Sequence, residues 1–318
     1  MSRPGSHITN HLTGTVCVLL ASLLWGTTGT AATFAPEVGP LAIGAVAMGL
    51  GGLLQALIAA PSIRRETQNL RAQTGVVLLG ALAVAAYPLA FYSSMHLAGV
   101  ATGTVVSIGS APLASALIER MADGHRLTPR WTAGAALGLT GTAFLCAAKA
   151  TDPSKGTESA TGTVLGVCLG LTAGGTYALY SWAAHRLINK GISSPAAMGT
   201  IFGTGGVLLL PILLTTGAPL LTSWPNAAVG TYMALIPMFL GYLLFGHGLT
   251  HIPASTATTL SLLEPAVAAL MAVLILNEHL PTLAWTGIAL VVACLAVLTT
   301  TTPEPKQPPT PTPALDTP

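Results

Sequence analysis

Ten apolar segments, each about as long as a membrane-spanning helix, follow one another along this chain of 318 residues. They lie near residues 13–35, 38–60, 75–96, 101–119, 130–149, 162–184, 194–216, 227–249, 254–276 and 281–301. A helix needs about 20 apolar residues to cross the hydrocarbon core of a bilayer, whereas transmembrane strands alternate apolar and polar residues. Gly75–Ala86 does not alternate, and only 7% of the residues are charged, too few to cover a soluble protein. The sequence therefore predicts an all-α integral membrane protein with ten transmembrane helices.

Part of the chain is repeated. Gly99–Leu127 aligns without gaps on Ile252–Leu280, at an offset of 153 residues. The identical pairs are Ala101 and Ala254, Pro112 and Pro265, Ala116 and Ala269, Leu117 and Leu270, and Leu127 and Leu280. Each half contains five apolar segments, an odd number, so the halves should lie in opposite orientations, as in transporters built from inverted repeats. We predict two inverted five-helix repeats at 12–150 and 162–302, an extracytoplasmic linker at 151–161 and a disordered cytoplasmic tail at 303–318.

The basic residues predict the orientation of the chain. When the N-terminus is placed in the cytoplasm, ten of the twelve Lys and Arg residues fall on the cytoplasmic side, and only Lys149 and Lys155 fall outside. Cytoplasmic loops of membrane proteins carry such an excess of positive charge. Both termini are therefore predicted to be cytoplasmic, in a multi-pass protein of a bacterial plasma membrane. The formal net charge of +2 indicates no nucleic-acid partner.

Glu264 is the one carboxylate that the predicted spans place at bilayer depth, near the middle of predicted helix 9. A charged side chain there costs about 2.5–3.5 kcal/mol on insertion scales, and such residues usually face a bundle interior or a water-filled cavity. Because desolvation favours the neutral acid, Glu264 is our candidate for proton coupling. The alternative is a structural role, in which it satisfies backbone groups freed by Pro265. The equivalent position in the first repeat is Ala111, so only one repeat carries this candidate.

Two prolines occupy equivalent positions in predicted helices 4 and 9. Pro112 and Pro265 each remove a backbone hydrogen bond and are expected to break or kink their helices. Paired interruptions of this kind point to a central binding site in transporters, although a simple kink is the alternative.

Aromatic and hydroxyl side chains within the spans are candidates for the wall of a substrate cavity, although Tyr and Trp also form interfacial belts. The candidates are Trp25, Thr28, Tyr92, Ser107, Tyr177, Tyr180, Tyr242 and Ser261.

Missing motifs narrow the function. The sequence has no G-x-x-x-x-G-K-[ST] phosphate loop and no H-E-x-x-H or G-x-S-x-G motif, so we expect neither an ATP-driven motor nor an enzyme. Its four cysteines are isolated and form no C-x-x-C, so we expect no metal site and no cofactor. No Lys or Arg lies deep in a predicted span, which favours neutral, zwitterionic or cationic substrates over phosphorylated ones.

Predicted helix 6 carries a row of glycines, Gly162, Gly166, Gly170 and Gly174, spaced four residues apart and hence on one face. Such a face lets another helix approach closely. It suits either packing within one chain or a dimer contact, so both a monomer and a homodimer are left open.

Three stretches of the second half, Leu262–Leu270, Leu276–Pro281 and Trp285–Leu290, resemble the second repeat of the EamA family, which belongs to the drug/metabolite transporter superfamily. The first half is similar through Leu24–Thr27 and Ala111–Leu113, and the likeness covers about residues 12–301. The family often has a Gly-Glu pair after helix 4, where this chain has Gly124 followed by His125. The resemblance implies a secondary transporter of small metabolites, often an exporter, with a central cavity and, in many members, coupling to the proton gradient.

These features predict a carrier that exports amino acids or drug-like organic molecules by alternating access, coupled to protons. Its expected partners are a small-molecule substrate, protons and the lipid bilayer. Two alternatives are left open: an importer or exchanger on the same scaffold, and a passive channel or facilitator.

Overall fold

The computed structural model of the chain describes residues 4–124, 127–150, 160–276 and 281–299, and no strand occurs among them. The α-helices are α1 (Pro4–Gly26), α2 (Thr28–Ala32), α3 (Pro40–Gly44), α4 (Gly51–Arg65), α5 (Thr67–Ala72), α6 (Thr74–Asp123), α7 (Pro129–Ala150), α8 (Ala160–Asn189), α9 (Ser194–Thr216), α10 (Trp224–Met233), α11 (Gly241–Gly248), α12 (Ala254–Leu260), α13 (Leu263–Leu276) and α14 (Thr282–Thr299). Two π-helical segments, Ala45–Leu50 and Ala234–Leu240, join α3 to α4 and α10 to α11, and a 3₁₀ turn covers Ala218–Leu221.

The described residues confirm an all-helical chain of membrane-protein character. Seven helical segments are long and apolar enough to cross a membrane, and Thr282–Leu298 is a shorter apolar helix. The predicted segments 101–119 and 130–149 are also helical, within α6 and α7, but are not among those seven. The count of ten spans therefore stays a prediction. The predicted tail at 303–318 and most of the predicted linker at 151–161 lie outside the described residues.

The longest helical run, α6, folds back on itself. A methyl group added to Gly103 would lie only 2.6 Å from the backbone nitrogen of Met95. Those residues are eight positions apart, and eight residues of straight helix span about 12 Å. The run of 50 residues therefore contains two arms. In position along the chain they correspond to predicted helices 3 and 4.

The glycine face of predicted helix 6, now in α8, packs between these two arms of α6. Added methyl groups would meet Ala98 at Gly166, and both Ser94 and Val106 at Gly170. The Ser94 hydroxyl also donates a hydrogen bond of 2.7 Å to the carbonyl of Gly166. These glycines therefore serve close packing within the chain.

Two predicted spans are interrupted in the middle, and the two interruptions touch. α1 ends at Gly26 and α2 begins at Thr28, while α12 ends at Leu260 and α13 begins at Leu263. A methyl group on Gly26 would lie 2.5 Å from Cβ of Val267 and 3.0 Å from the carbonyl oxygen of Glu264. Glycine is therefore required at position 26, because it lets the first span approach the break in predicted helix 9 at backbone distance.

The predicted pairing of helix breaks at Pro112 and Pro265 is not seen. The helix continues through Pro112, inside α6, whereas a break directly precedes Pro265. A single proline removes one backbone hydrogen bond, and at Pro112 that loss alone does not end the helix.

α4 and α9 also approach each other closely. A methyl group on Gly52 of α4 would lie 2.3 Å from the carbonyl oxygen of Phe202, and one on Gly203 of α9 would lie 2.4 Å from Cβ of Ala56. Small residues on both helices allow the backbones to come this close, as is common in membrane proteins.

We expect Gly52→Ala to destabilise the protein by about 1–3 kcal/mol, the usual cost of inserting a methyl group into a packed interior. The overlap is with a backbone carbonyl in α9, which cannot rotate away. Thermal unfolding of the purified protein in detergent measures the effect. Gly175→Ala in α8 is the matched control, because nothing lies within 4 Å of its added methyl group. Equal unfolding temperatures for the two variants would contradict this account of the α4–α9 contact.

Candidate substrate pocket

A pocket lies between the first and second halves of the chain, and six of its thirteen lining residues are aromatic. The pocket is narrow, and the space inside it has room for about one water molecule. The wall consists of Trp25, Thr28, Gly44, Ala47, Met48, Tyr87, Pro88, Phe91, Tyr92, Tyr177, Met238, Tyr242 and Glu264. Glu264 is the one charged side chain among these described lining residues.

Glu264 reaches the pocket from the first turn of α13 and is 8% exposed. Two opposing influences act on its carboxyl group. Burial disfavours the charged form, whereas the N-terminal end of a helix favours a negative charge through its dipole. Within the described residues, the carboxylate accepts no hydrogen bond. The side chain therefore does not satisfy the backbone freed by Pro265, which was the structural alternative for this residue.

Ser261 satisfies the backbone at this break instead. Its hydroxyl points at the carbonyl oxygens of Thr258, at 2.9 Å, and Ala257, at 3.2 Å. Pro265 has no N–H to donate to the backbone carbonyl of Ser261. That carbonyl instead accepts a 2.9 Å hydrogen bond from the backbone N–H of Glu264. Because the single hydroxyl proton of Ser261 is directed to these carbonyls, Tyr177 donates the 2.7 Å hydrogen bond that joins the two side chains. α8 is thereby attached to the break.

Trp25 connects the first span to the π-helical segment Ala234–Leu240. Its indole nitrogen donates a 2.9 Å hydrogen bond to the carbonyl of Pro237. Its ring packs against Tyr242 with a centroid distance of 4.7 Å and against Phe245 at 5.4 Å. π-helical segments inside α-helices frequently occur at functional sites, and this one supplies Met238 to the pocket wall.

Five of the eight cavity candidates chosen from the sequence line this pocket: Trp25, Thr28, Tyr92, Tyr177 and Tyr242.

The structure places the other three candidates outside the lining. Tyr180 is fully buried, and its hydroxyl lies 2.6 Å from that of Tyr242. Ser261 lies behind Tyr177. Ser107 is fully buried, and its backbone carbonyl lies where α6 meets Gly174 of α8.

The sequence candidates did not include Met48, Phe91 or Met238, which also line the wall. An apolar side chain in an apolar span gives no signal that could have identified them. As for metals, no group of three or more His, Cys, Asp or Glu side chains in the described part of the chain is placed to hold an ion.

The fold and the pocket define an all-helical protein of several membrane spans with a buried pocket rich in aromatic side chains. The sequence model of the EamA-like transporter family matches residues 12–147 and, separately, residues 164–300. The chain belongs to this family. It is therefore a multi-pass membrane transporter of bacterial type and not an enzyme, and its substrate is a small molecule.

Two named relatives are similar over most of the chain, and a third is similar over less than half of it. An uncharacterised transporter, YwfM, of Bacillus subtilis is 34% identical over 282 residues, which cover 88% of this chain and 92% of that protein. A probable terminal-alkyne amino-acid exporter of Streptantibioticus cattleyicolor is 25% identical, over 86% of this chain and 92% of its own length. The threonine/homoserine exporter RhtA of Salmonella typhimurium is 28% identical over 42% of each chain.

A solved crystal structure also has this fold. It superposes with a TM-score of 0.71 at 23% sequence identity and covers 89% of this chain and 95% of the other. At this identity the match establishes the fold alone.

We expect Trp25→Phe to lower stability by about 1–3 kcal/mol, because the buried carbonyl of Pro237 loses its indole donor and part of the ring volume is removed. Trp285→Phe is the matched control, since Trp285 is 50% exposed on the outer surface of α14. Both are compared with the wild type by thermal unfolding in detergent. If the two variants unfold at the same temperature, the Trp25–Pro237 contact does not hold the pocket wall together.

Proposed function

We propose that this protein is a proton-coupled carrier that exports small organic molecules, amino acids among them, by alternating access across a bacterial plasma membrane. In this proposal the chain has ten spans in two inverted repeats of five, residues 12–150 and 162–302, and both termini are cytoplasmic. The separate matches of the family model to the two halves support the division. Two relatives, a probable terminal-alkyne amino-acid exporter and a threonine/homoserine exporter, support the direction and the class of substrate.

The observation that carries the proposal is the position of Glu264. It is a buried carboxylate with no hydrogen-bond partner among the described residues, at the N-terminal end of α13, facing an aromatic pocket. Burial and the helix dipole act on it in opposite directions. Such a group is suited to taking up a proton in one state of the carrier and releasing it in another. Ionisable groups inside membrane proteins are typically functional.

The pocket wall also supports a class of substrate. The described lining contains one carboxylate, six aromatic rings and no Lys or Arg. Aromatic faces attract cations, and a carboxylate pairs with an ammonium group, whereas phosphorylated substrates need fixed cations. The chemistry of this wall favours neutral, zwitterionic or cationic molecules, and an amino acid matches it because its ammonium group can pair with a carboxylate such as Glu264.

We expect Glu264→Gln to abolish substrate-dependent proton movement. The purified protein is reconstituted in proteoliposomes with an imposed pH gradient and an internal pH dye, and amino acids and small metabolites are added one at a time. The amide is similar in size to the carboxyl group but cannot exchange a proton at these pH values. Glu37→Gln is the matched control, since it makes the same chemical change at an exposed carboxylate outside the pocket.

The remaining outcomes separate the alternatives. Proton movement that persists in Glu264→Gln would remove this residue from the coupling path. Substrate flux without proton movement, with counterflow from either side, would indicate an exchanger. Flux that neither saturates nor responds to any gradient would indicate a passive channel.

A further inference from the structure

Two carboxylates from the first half of the chain bind two serines at the starts of helices in the second half, with the same geometry. Glu119 in α6 accepts hydrogen bonds from the backbone N–H of Ser255, at 3.0 Å, and from its hydroxyl, at 2.6 Å. Glu66, directly after α4, accepts them from the backbone N–H of Ser193, at 2.9 Å, and from its hydroxyl, at 2.6 Å. Hydrogen bonds to an ionised acceptor are stronger than neutral ones, and each carboxylate also meets the positive end of a helix dipole.

Both contacts lie at one end of the molecule. α4 and the second arm of α6 end there, and α9 and α12 begin there. In the orientation predicted from the basic residues, this end faces the cytoplasm. Phe202 and Phe245 are fully buried and pack against the pocket-lining rings of Tyr242 and Trp25. In this conformation the carrier is closed on that side.

The two contacts differ in what lies beyond the serine. Ser255 belongs to α12, which has seven residues and ends at the break beside Glu264. Ser193 precedes α9, a helix of 23 residues that continues without a break. The Glu119–Ser255 contact is also the more deeply buried, with both side chains at 3% exposure or less. It therefore holds one end of a short helix whose other end is already separated from α13.

We infer that the Glu119–Ser255 contact is the latch of the cytoplasmic gate, and that α12 is the part that moves when the gate opens. Closing the gate joins the carboxylate of the first half to α12 of the second half. Opening the gate separates Glu119 from α12. Water then reaches Glu119, because a carboxylate that stays buried without its hydrogen-bond donors costs free energy. The equivalent Glu66–Ser193 contact holds α9 in place in both states. This inference rests on the alternating-access cycle proposed above.

The test measures the accessibility of a reporter cysteine behind the latch. Residues 255, 258 and 261 share one face of α12 and its extension because they are three positions apart. Thr258 therefore lies between the latch and the Tyr177–Ser261 contact. The four native cysteines are replaced by Ala. Thr258→Cys is then labelled with a membrane-impermeant maleimide from the cytoplasmic side, without substrate or a pH gradient.

Adding Ser255→Ala to the Thr258→Cys protein removes the hydroxyl donor and leaves the backbone N–H. We expect the rate of labelling to rise about tenfold, the population change that corresponds to the loss of one charge-assisted hydrogen bond. Ser193→Ala is the matched control and should change the rate less than about twofold, because the Glu66–Ser193 contact is kept in both states and its loss favours neither of them. Glu119→Ala should raise the rate further, and if that variant does not fold, Ser255→Ala alone decides the question.

A second reporter separates gating from general loosening. Thr28→Cys lines the pocket, and its labelling from the extracytoplasmic side should fall when Ser255→Ala opens the opposite side. The inference is overturned if Ser255→Ala leaves Thr258→Cys unchanged, if Ser193→Ala has an equal effect, or if both reporters become more accessible. The assay involves neither protons nor transport, so a negative result for Glu264→Gln would leave this test intact.

Discussion

In the hydrocarbon core of a bilayer, every backbone N–H and C=O needs a partner inside the protein, and the rest of this structure depends on how the break between α12 and α13 meets that requirement. Ser261 directs its hydroxyl to the carbonyl of Thr258, and its own carbonyl accepts from Glu264. Tyr177 in turn donates to Ser261 from α8. The break is therefore an ordered turn that a neighbouring helix supports. The turn fixes the direction in which the side chain of Glu264 projects from the backbone.

The close approach of the first span to this turn follows from side-chain volume. Gly26 lies against Val267 and the carbonyl of Glu264, where no larger residue has room. With the backbones so close, Trp25 and Thr28 on one side and Glu264 on the other reach the same pocket. The indole of Trp25 then spans to Pro237 and brings the π-helical segment into the wall. The other π-helical segment, Ala45–Leu50, supplies Ala47 and Met48, so the pocket is built where four irregular pieces of backbone meet.

The sequence predicted the helices well, because long apolar runs have few other ways to fold. It also led to Glu264 and Tyr177, which both line the pocket, because a carboxylate and a phenol are conspicuous among apolar residues. It could not predict that Tyr180 and Ser261 would lie outside the pocket lining, because a helix with an apolar residue on every face does not reveal its rotation about its own axis. Glu119 lies at the end of a predicted span, where charged residues are usual, so nothing in the sequence pointed to its contact with Ser255.

The latch and the proton-coupling candidate are joined by one rigid element. α12 carries Ser255 near its first residue, and the break that leads to Glu264 follows its last residue; the six positions from Ser255 to Ser261 span about 9 Å of helix. In the proposed cycle, a change of charge at Glu264 changes the electrostatics at the break. A displacement of α12 at the break then also moves Ser255 relative to Glu119. Coupling of this kind does not need a long series of contacting side chains. It needs one element with two positions, and each of the two sites must shift the equilibrium between those positions. α9, which begins at the other contact of this kind, is continuous, so in this proposal the difference between these two helices of the second repeat is what makes one contact a latch and the other a fixed support.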